Sequence, residues 1–366
     1  MTNDENRMTN VNNSSFVISS HSSFPQRSVV RWLDIVCLLI LLMVLVGGVT
    51  RLTESGLSMV TWEPILGAIP PRTEVEWQAR FDQYRAYPEY QLINKGMSLA
   101  EFKFIYFWEY LHRLLGRLIG LVYALPMAWF IARGAARGRL AGHLLVGLLL
   151  GGLQGVVGWW MVKSGLNQNP YVSPFRLAIH LGLALFVLSY LWWLRLGLAG
   201  VARVFAPPPF RRNALLFLVL LVVQIFYGAL VAGLNAGYMY NTFPLMLGRV
   251  FPPGLLGMEP VWLNFFENAT AVQWIHRALG WLVLAAAGHV WWHGLRGANS
   301  GAQRRALHAV GALTLLQFAL GVAALLLKVP VWLGVAHQVN AALLLLAAVS
   351  LVYGAGRRYS PSSTFQ

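Results

Sequence analysis

A single cysteine, Cys37, and 13 acidic side chains are all that 366 residues offer of either kind. One cysteine excludes an intrachain disulfide and a thiolate-held metal cluster. Inside an apolar run, Cys37 reads as a small buried apolar side chain. Charge is scarce too: 11% of residues are charged, against about a quarter in an ordinary soluble domain. With 57% hydrophobic residues and a mean hydropathy of +0.57, a water-soluble fold is excluded. The first 25 residues are polar and rich in Asn and Ser, with Asp4 and Glu5 among them. They lack the short apolar core of a cleavable signal and the Arg-rich, acid-free character of a transit peptide. A bacterial inner membrane is the expected location.

What the chain does have is apolar length. Eight runs reach the roughly 20 residues that cross a bilayer. They are 29–52, 103–132, 139–163, 173–198, 212–235, 269–296, 305–328 and 331–356. The net charge of +15 would suit nucleic acid, but its distribution excludes that partner. Arginines gather at Arg27 and Arg31, at Arg133, Arg137 and Arg139, at Arg203, Arg211 and Arg212, at Arg296, Arg304 and Arg305, and at Arg357 and Arg358. With eight spans, all of these fall on one side, which the positive-inside rule makes cytoplasmic. The acids Glu54, Glu63, Glu74, Glu76, Asp82, Glu89, Glu101, Glu259 and Glu267 collect opposite. The expected fold is an all-α integral membrane protein with eight transmembrane helices and both termini cytoplasmic. The helices form two parallel four-helix-bundle repeats, since an even span count gives both halves one orientation. The halves are 29–198 and 212–356, joined by a linker at 199–211. Disordered tails are expected at 1–28 and 357–366. In the long outer loop, 74–87 is expected as an interfacial helix, with Trp77, Phe81, Tyr84 and Tyr87 at headgroup level.

The repeat is visible in the residues. Glu109-Tyr110-Leu111-His112-Arg113 recurs as Gln273-Trp274-Ile275-His276-Arg277, an offset of 276 − 112 = 164. Gln154 recurs as Gln317, and His180 as His337. The first spans align loosely, Gly47 onward against Tyr227 onward. Each half thus carries one early and one late histidine. Counted from the outer end of its span, each lies roughly 9–14 Å deep at 1.5 Å per residue. Four histidines in one layer point to two bis-histidine haem sites, one per half. His143, His289, His293 and His308 fall toward the other side and His21 in the tail, so these are read as non-ligands.

Arg113 and Arg277 follow the first histidine of each half. A buried arginine needs a partner. Haem propionates would serve, through bidentate pairing; outward snorkelling or a loop acid is the alternative. Glu109 breaks the repeat, because its counterpart is Gln273. A carboxylate can take a proton and an amide cannot, so the N-terminal half reads as reactive and the C-terminal half as a cofactor holder. Alternatively, Glu109 is a structural partner of Arg113 or Lys103. Gln154, Gln224 and Gln317 are expected as interhelical hydrogen-bonding residues.

These residues resemble the haem A synthase family over about 30–355. The pieces that carry the resemblance are Gly47-Gly48-Val49-Thr50-Arg51-Leu52-Thr53-Glu54-Ser55-Gly56-Leu57-Ser58-Met59, Glu101-Phe102-Lys103-Phe104-Ile105, the two His-Arg segments, and His337-Gln338. The resemblance implies oxidation of the C8 methyl of haem O to a formyl group, giving haem A for cytochrome c oxidase. It implies that His276 and His337 hold haem b, that His112 and His180 attend the substrate haem iron, and that Glu109 is catalytic. It further implies an electron donor, membrane lipid around the bundle, and, as candidate partners, a haem O synthase (a farnesyltransferase) and a second copy of the chain. Many bacterial members carry a loop cysteine pair; Met59 and its neighbours stand there instead, which excludes a thiol redox step. The sequence resembles the cysteine-free subgroup of alphaproteobacteria and mitochondria. The rival readings are an electron-passing bis-histidine cytochrome b, a haem chaperone and a transporter.

Overall fold

The computed structural model describes residues 24–61, 66–167, 169–206, 208–297 and 301–356. The expected tail 357–366 and most of the tail 1–28 lie outside the described residues, but the structure starts α1 at Phe24, inside that tail. Ten α-helices follow in order. α1 (Phe24–Leu52) is followed by the short α2 (Glu74–Arg85) and α3 (Pro88–Leu92) of the long loop. Then come α4 (Leu99–Ala132), α5 (Gly138–Gly165) and α6 (Pro174–Leu198). After the linker come α7 (Pro208–Gly233), α8 (Ala269–Gly297), α9 (Gly301–Leu326) and α10 (Val331–Gly354).

Seven of these helices are long and apolar enough to cross a membrane; α8, at 29 residues, is long enough but not apolar enough. It carries Gln273, His276, Arg277, His289, His293 and Arg296, so no stretch of bilayer length in it is uniformly apolar. Large apolar side chains such as Leu38, Leu125 and Leu149 stand exposed on the helix surfaces. A water-soluble protein would bury such a surface, whereas lipid accommodates it.

Packing follows the chain. α1 packs on α4, α4 on α5, α5 on α6 and α6 on α1. In the other half α7 packs on α8, α8 on α9, α9 on α10 and α10 on α7. The rings meet through α1 with α10, α6 with α7 and α6 with α10. Of the most apolar stretches, 44% of α1 and 50% of α10 are buried, against 11% of α5 and 17% of α9, so α1 and α10 line the seam and α5 and α9 face outward. At one end of the bundle, Gln26 Nε2 donates to Leu198 O (2.7 Å), and Arg195 pairs with Asp34 (2.6 Å). There β1 (Val204–Phe205), in the linker, pairs in parallel with β2 (Ala355–Gly356). This places the start of α1, the end of α6, the linker and the end of α10 together.

At the opposite end the long loop folds on itself. Ser98 and Glu101 form a capping box, so α4 begins at Leu99 rather than near 103. α2 has its own capping box from Thr73 and Glu76. The expected lipid contact of α2 is corrected here. Phe81 and Tyr84 are buried with Tyr90, Phe102, Ile105, Tyr106 and Met59 in a small core over α4. Trp77 packs edge-on against Tyr106 rather than standing free. Aromatic faces gain more by stacking on protein than by lying at headgroups when a helix end stands beneath them.

Glu89 of α3 is buried in this loop, its Oε2 without a hydrogen-bond partner. Burial, reinforced by the charges of Glu109 and Glu54, pushes its carboxyl up to about 8, against the opposing effect of a hydrogen bond from Tyr84. An unfolded glutamate releases its proton near pH ~4.3, so across the interval to about 8 the folded state holds the extra proton and loses stability as pH rises. The thermal midpoint of the purified protein is therefore expected to fall between pH 5 and 8, and Glu89→Gln to flatten that slope. An unchanged slope in the Gln variant would count against Glu89 as its source.

Candidate haem sites

Each of the four sequence-predicted histidines rests on a glycine of the helix before it. A methyl group on Gly47 of α1 would stand 3.0 Å from His112 Cε1 on α4, and one on Gly158 of α5 2.8 Å from His180 on α6. The same holds for Gly228 of α7 and His276 on α8 (3.1 Å), and for Gly321 of α9 and His337 on α10 (2.9 Å). Any side chain at these positions would push the ring away. The glycines lie 52 − 47 = 5, 165 − 158 = 7, 233 − 228 = 5 and 326 − 321 = 5 residues before the ends of their helices. The four rings therefore sit at matching depth, about 8–10 Å below those ends at 1.5 Å per residue. Sequence reasoning missed these glycines. It also aligned Gly47 with Tyr227, whereas the contacts pair Gly47 with Gly228, one residue further on.

The glutamines lie four residues before three of these glycines, on the same face one turn deeper. Gln154 Nε2 approaches His180 Nδ1 and Nε2 (3.2 and 3.4 Å) and donates to His180 O (3.0 Å). Gln317 Nε2 lies 3.2 and 3.1 Å from the two ring nitrogens of His337, and its Oε1 accepts from Asn340 Nδ2 (2.7 Å). Gln224 Nε2 reaches His276 Nε2 at 3.5 Å.

In the C-terminal half, the His276 and His337 rings have centroids 6.4 Å apart and planes at 74°. Two imidazoles bound to one iron at ~2 Å per bond have centroids about 6 Å apart, so the pair fits a haem iron. His276 Nδ1 and Arg277 Nη1 are buried without partners, as polar atoms at a cofactor site can be. Among the described residues no group of three or more His, Cys, Asp or Glu could hold a metal ion, so donor pairs are what the fold offers. His143 hydrogen-bonds Tyr190, His289 contacts Asn213, and His308 accepts from Trp291, all away from the four-ring layer.

Glu109 and Gln273 are both buried and both held by the loop that precedes their helix, with opposite polarity. Glu109 Oε2 accepts from Ser58 Oγ and Met59 N (2.7 Å each), and Oε1 pairs with Arg113. Gln273 Nε2 instead donates to Ala236 O (2.9 Å) and Tyr240 O (3.3 Å). Lys103 pairs with Glu74, not with Glu109. Both arginines also hold loop carbonyls. Arg113 donates to Met59 O and Thr61 O, and Arg277 to Thr242 O, Pro244 O and Leu245 O.

An apolar helical bundle with seven helices fit to cross a membrane, and with a pair of imidazoles inside it, defines an integral membrane protein. The chain belongs to the COX15-CtaA family, described as cytochrome oxidase assembly protein, whose model matches residues 30–349. It is 48% identical over 334 residues to a heme A synthase of Azorhizobium caulinodans, covering 91% of this chain and 95% of that one. It is 43% identical to a heme A synthase of Nitrosomonas eutropha and 44% to one of Parvibaculum lavamentivorans, in each case over 87% of this chain and 91% of the relative.

Proposed function

We propose that this chain is a haem A synthase, a membrane oxidoreductase that converts the C8 methyl of haem O to a formyl group. Relatives of that name at 43–48% identity support the activity. The observation that carries the division of labour is the broken symmetry: four histidines on four glycines, but one carboxylate, Glu109. The halves 29–198 and 212–356 act as two parallel repeats, with α8 as the eighth span. His276 and His337 hold a resident haem b, which when bound supplies electron transfer. His112 and His180 face the substrate haem O. Arg277, with Nη1 free of partners, and Arg113 receive carboxylates such as the propionates. Glu109, fixed by Ser58, Met59 and Arg113, presents a carboxylate that can hold a proton or oppose developing positive charge at the substrate edge.

The substrate chemistry is two successive hydroxylations, from methyl to hydroxymethyl to geminal diol, which loses water to the aldehyde. Each hydroxylation is a monooxygenation: one atom of O2 enters the C–H bond, and the other leaves as water with two protons and two electrons from a donor outside the chain. Cells expressing the chain beside a source of haem O are expected to yield haem A on pigment extraction, and haem O alone would sink the proposal. The arginine-rich ends support a reading with both termini on the cytoplasmic side of a bacterial inner membrane. A reporter active only outside the membrane is expected to work at Glu76 and fail at Gln366; the reverse pattern would overturn the orientation.

A further inference from the structure

Three of the four histidines share one device, and the fourth lacks it. Gln154-Gly158, Gln224-Gly228 and Gln317-Gly321 each set an amide one turn below the glycine that meets the ring. The corresponding pair for His112 is Met43-Gly47. Position 43 is equivalent to 224 in space as well as in spacing. Met43 Cε lies 3.5 Å from where a methyl on Gly116 would be, and Gln224 Nε2 3.7 Å from that place on Gly280, four residues after His112 and His276 respectively.

The amides at His180 and His337 are nearly equidistant from both ring nitrogens. A donor so placed in the ring plane would collide with Cε1, so the amide lies over the ring face. It steadies the imidazole without occupying the in-plane lone pair that binds iron. The glutamines are themselves tethered, Gln154 to His180 O and Gln317 to Asn340. A thioether has no N–H to give and is flexible. His112 therefore has the glycine contact but no amide on its ring; its Nδ1, like that of His276, is buried without a partner.

We propose that Met43 is a positioning residue that keeps the His112 side of the substrate site exchangeable, by putting a thioether where the other three histidines have a steadying amide. This rests on the reading of the N-terminal half as the substrate site. A substrate haem must enter and a product haem leave at every turnover, whereas the haem held by His276 and His337 stays. Three amides and one thioether match three fixed ligands and one releasable ligand.

The test uses full-length protein purified from cells that supply haem O. Haem O, haem A and haem b per polypeptide are measured by chromatography during incubation with excess apomyoglobin as haem acceptor. Groups that orient a metal ligand typically alter metal affinity 10–100-fold. Met43→Gln is expected to slow loss of haem O and haem A about 10-fold, with haem A accumulating on the protein. Met43→Leu, which adds no amide, is expected to lose them at the wild-type rate. Gln224→Met, the reverse exchange, is expected to hasten loss of haem b by a similar factor. Unchanged haem O and haem A release from Met43→Gln overturns the proposal. So does wild-type haem b retention in Gln224→Met, which tests the amide even if Met43→Gln does not fold. If His112→Ala leaves haem O and haem A content unaltered, the substrate-site reading itself fails, and this proposal with it.

Discussion

Glu109→Gln is expected to stop haem A formation while leaving haem b in place. Glutamine copies what the second half already carries at Gln273, but it can neither take a proton nor bear a negative charge. If Glu109 acts in proton transfer, the rate falls roughly 10²-fold or more, and haem O or its hydroxymethyl intermediate accumulates. The substitution also has a structural cost. The amide oxygen can still accept from Ser58 and Met59, but its NH2 then faces the Arg113 guanidinium, donor against donor. Losing a buried charged partner costs about 1–3 kcal/mol, enough to lower the melting temperature without unfolding the bundle. A purely structural role would make haem A formation fall only in step with folded protein and its haem b content, leaving the activity per folded molecule near normal. Chromatographic haem analysis beside a thermal melt separates the two, and near-normal haem A from a stable variant would remove Glu109 from the chemistry.

His276→Ala or His337→Ala is expected to empty or disorganise the C-terminal haem site. The two ring centroids lie 6.4 Å apart; if the pair holds a haem iron as proposed, removing one ring would leave it a single imidazole. Bound haem b should fall more than ~100-fold, beyond the roughly 10–100-fold that loss of a group that merely orients a ligand costs, or its spectrum should become high-spin. An unchanged low-spin reduced spectrum in either variant would show that other ligands hold that haem.

The all-helical membrane character and the four matched histidines were legible because each depends on residue type and spacing alone; of the eight spans read from the sequence, seven are long and apolar enough to cross a membrane. The small core over α4 was not. Trp77, Phe81 and Tyr84 have the same composition whether they meet lipid or one another, and only the fold of the loop decides. The helix α8 was read as an apolar run over 269–296, yet Gln273, His276 and Arg277 on its inner side and the exposed His289, His293 and Arg296 dilute it. The glycines under the histidines were legible in principle. A glutamine four residues before a glycine occurs in three of the relevant helices, and that spacing would have found Gly158, Gly228 and Gly321. It would have missed Gly47, where Met43 breaks the pattern. Of the partners of Glu109, Arg113 was legible one turn further along the helix; Ser58 and the backbone N–H of Met59 were not, since no side-chain pattern reports a main-chain donor.

The opposite polarity of the two loops bears on how a duplicated protein divides its labour. Around Glu109 the chain offers donors, from Ser58 and Met59; around Gln273 it offers the carbonyls of Ala236 and Tyr240. A glutamate at 273 would meet lone pairs where it needs protons to accept. The twin halves have therefore diverged in main chain as well as in side chain, and neither can take the other's part by a single exchange. The asymmetry is locked in by the path of the backbone, so a second carboxylate held as Glu109 is held would require rebuilding a loop.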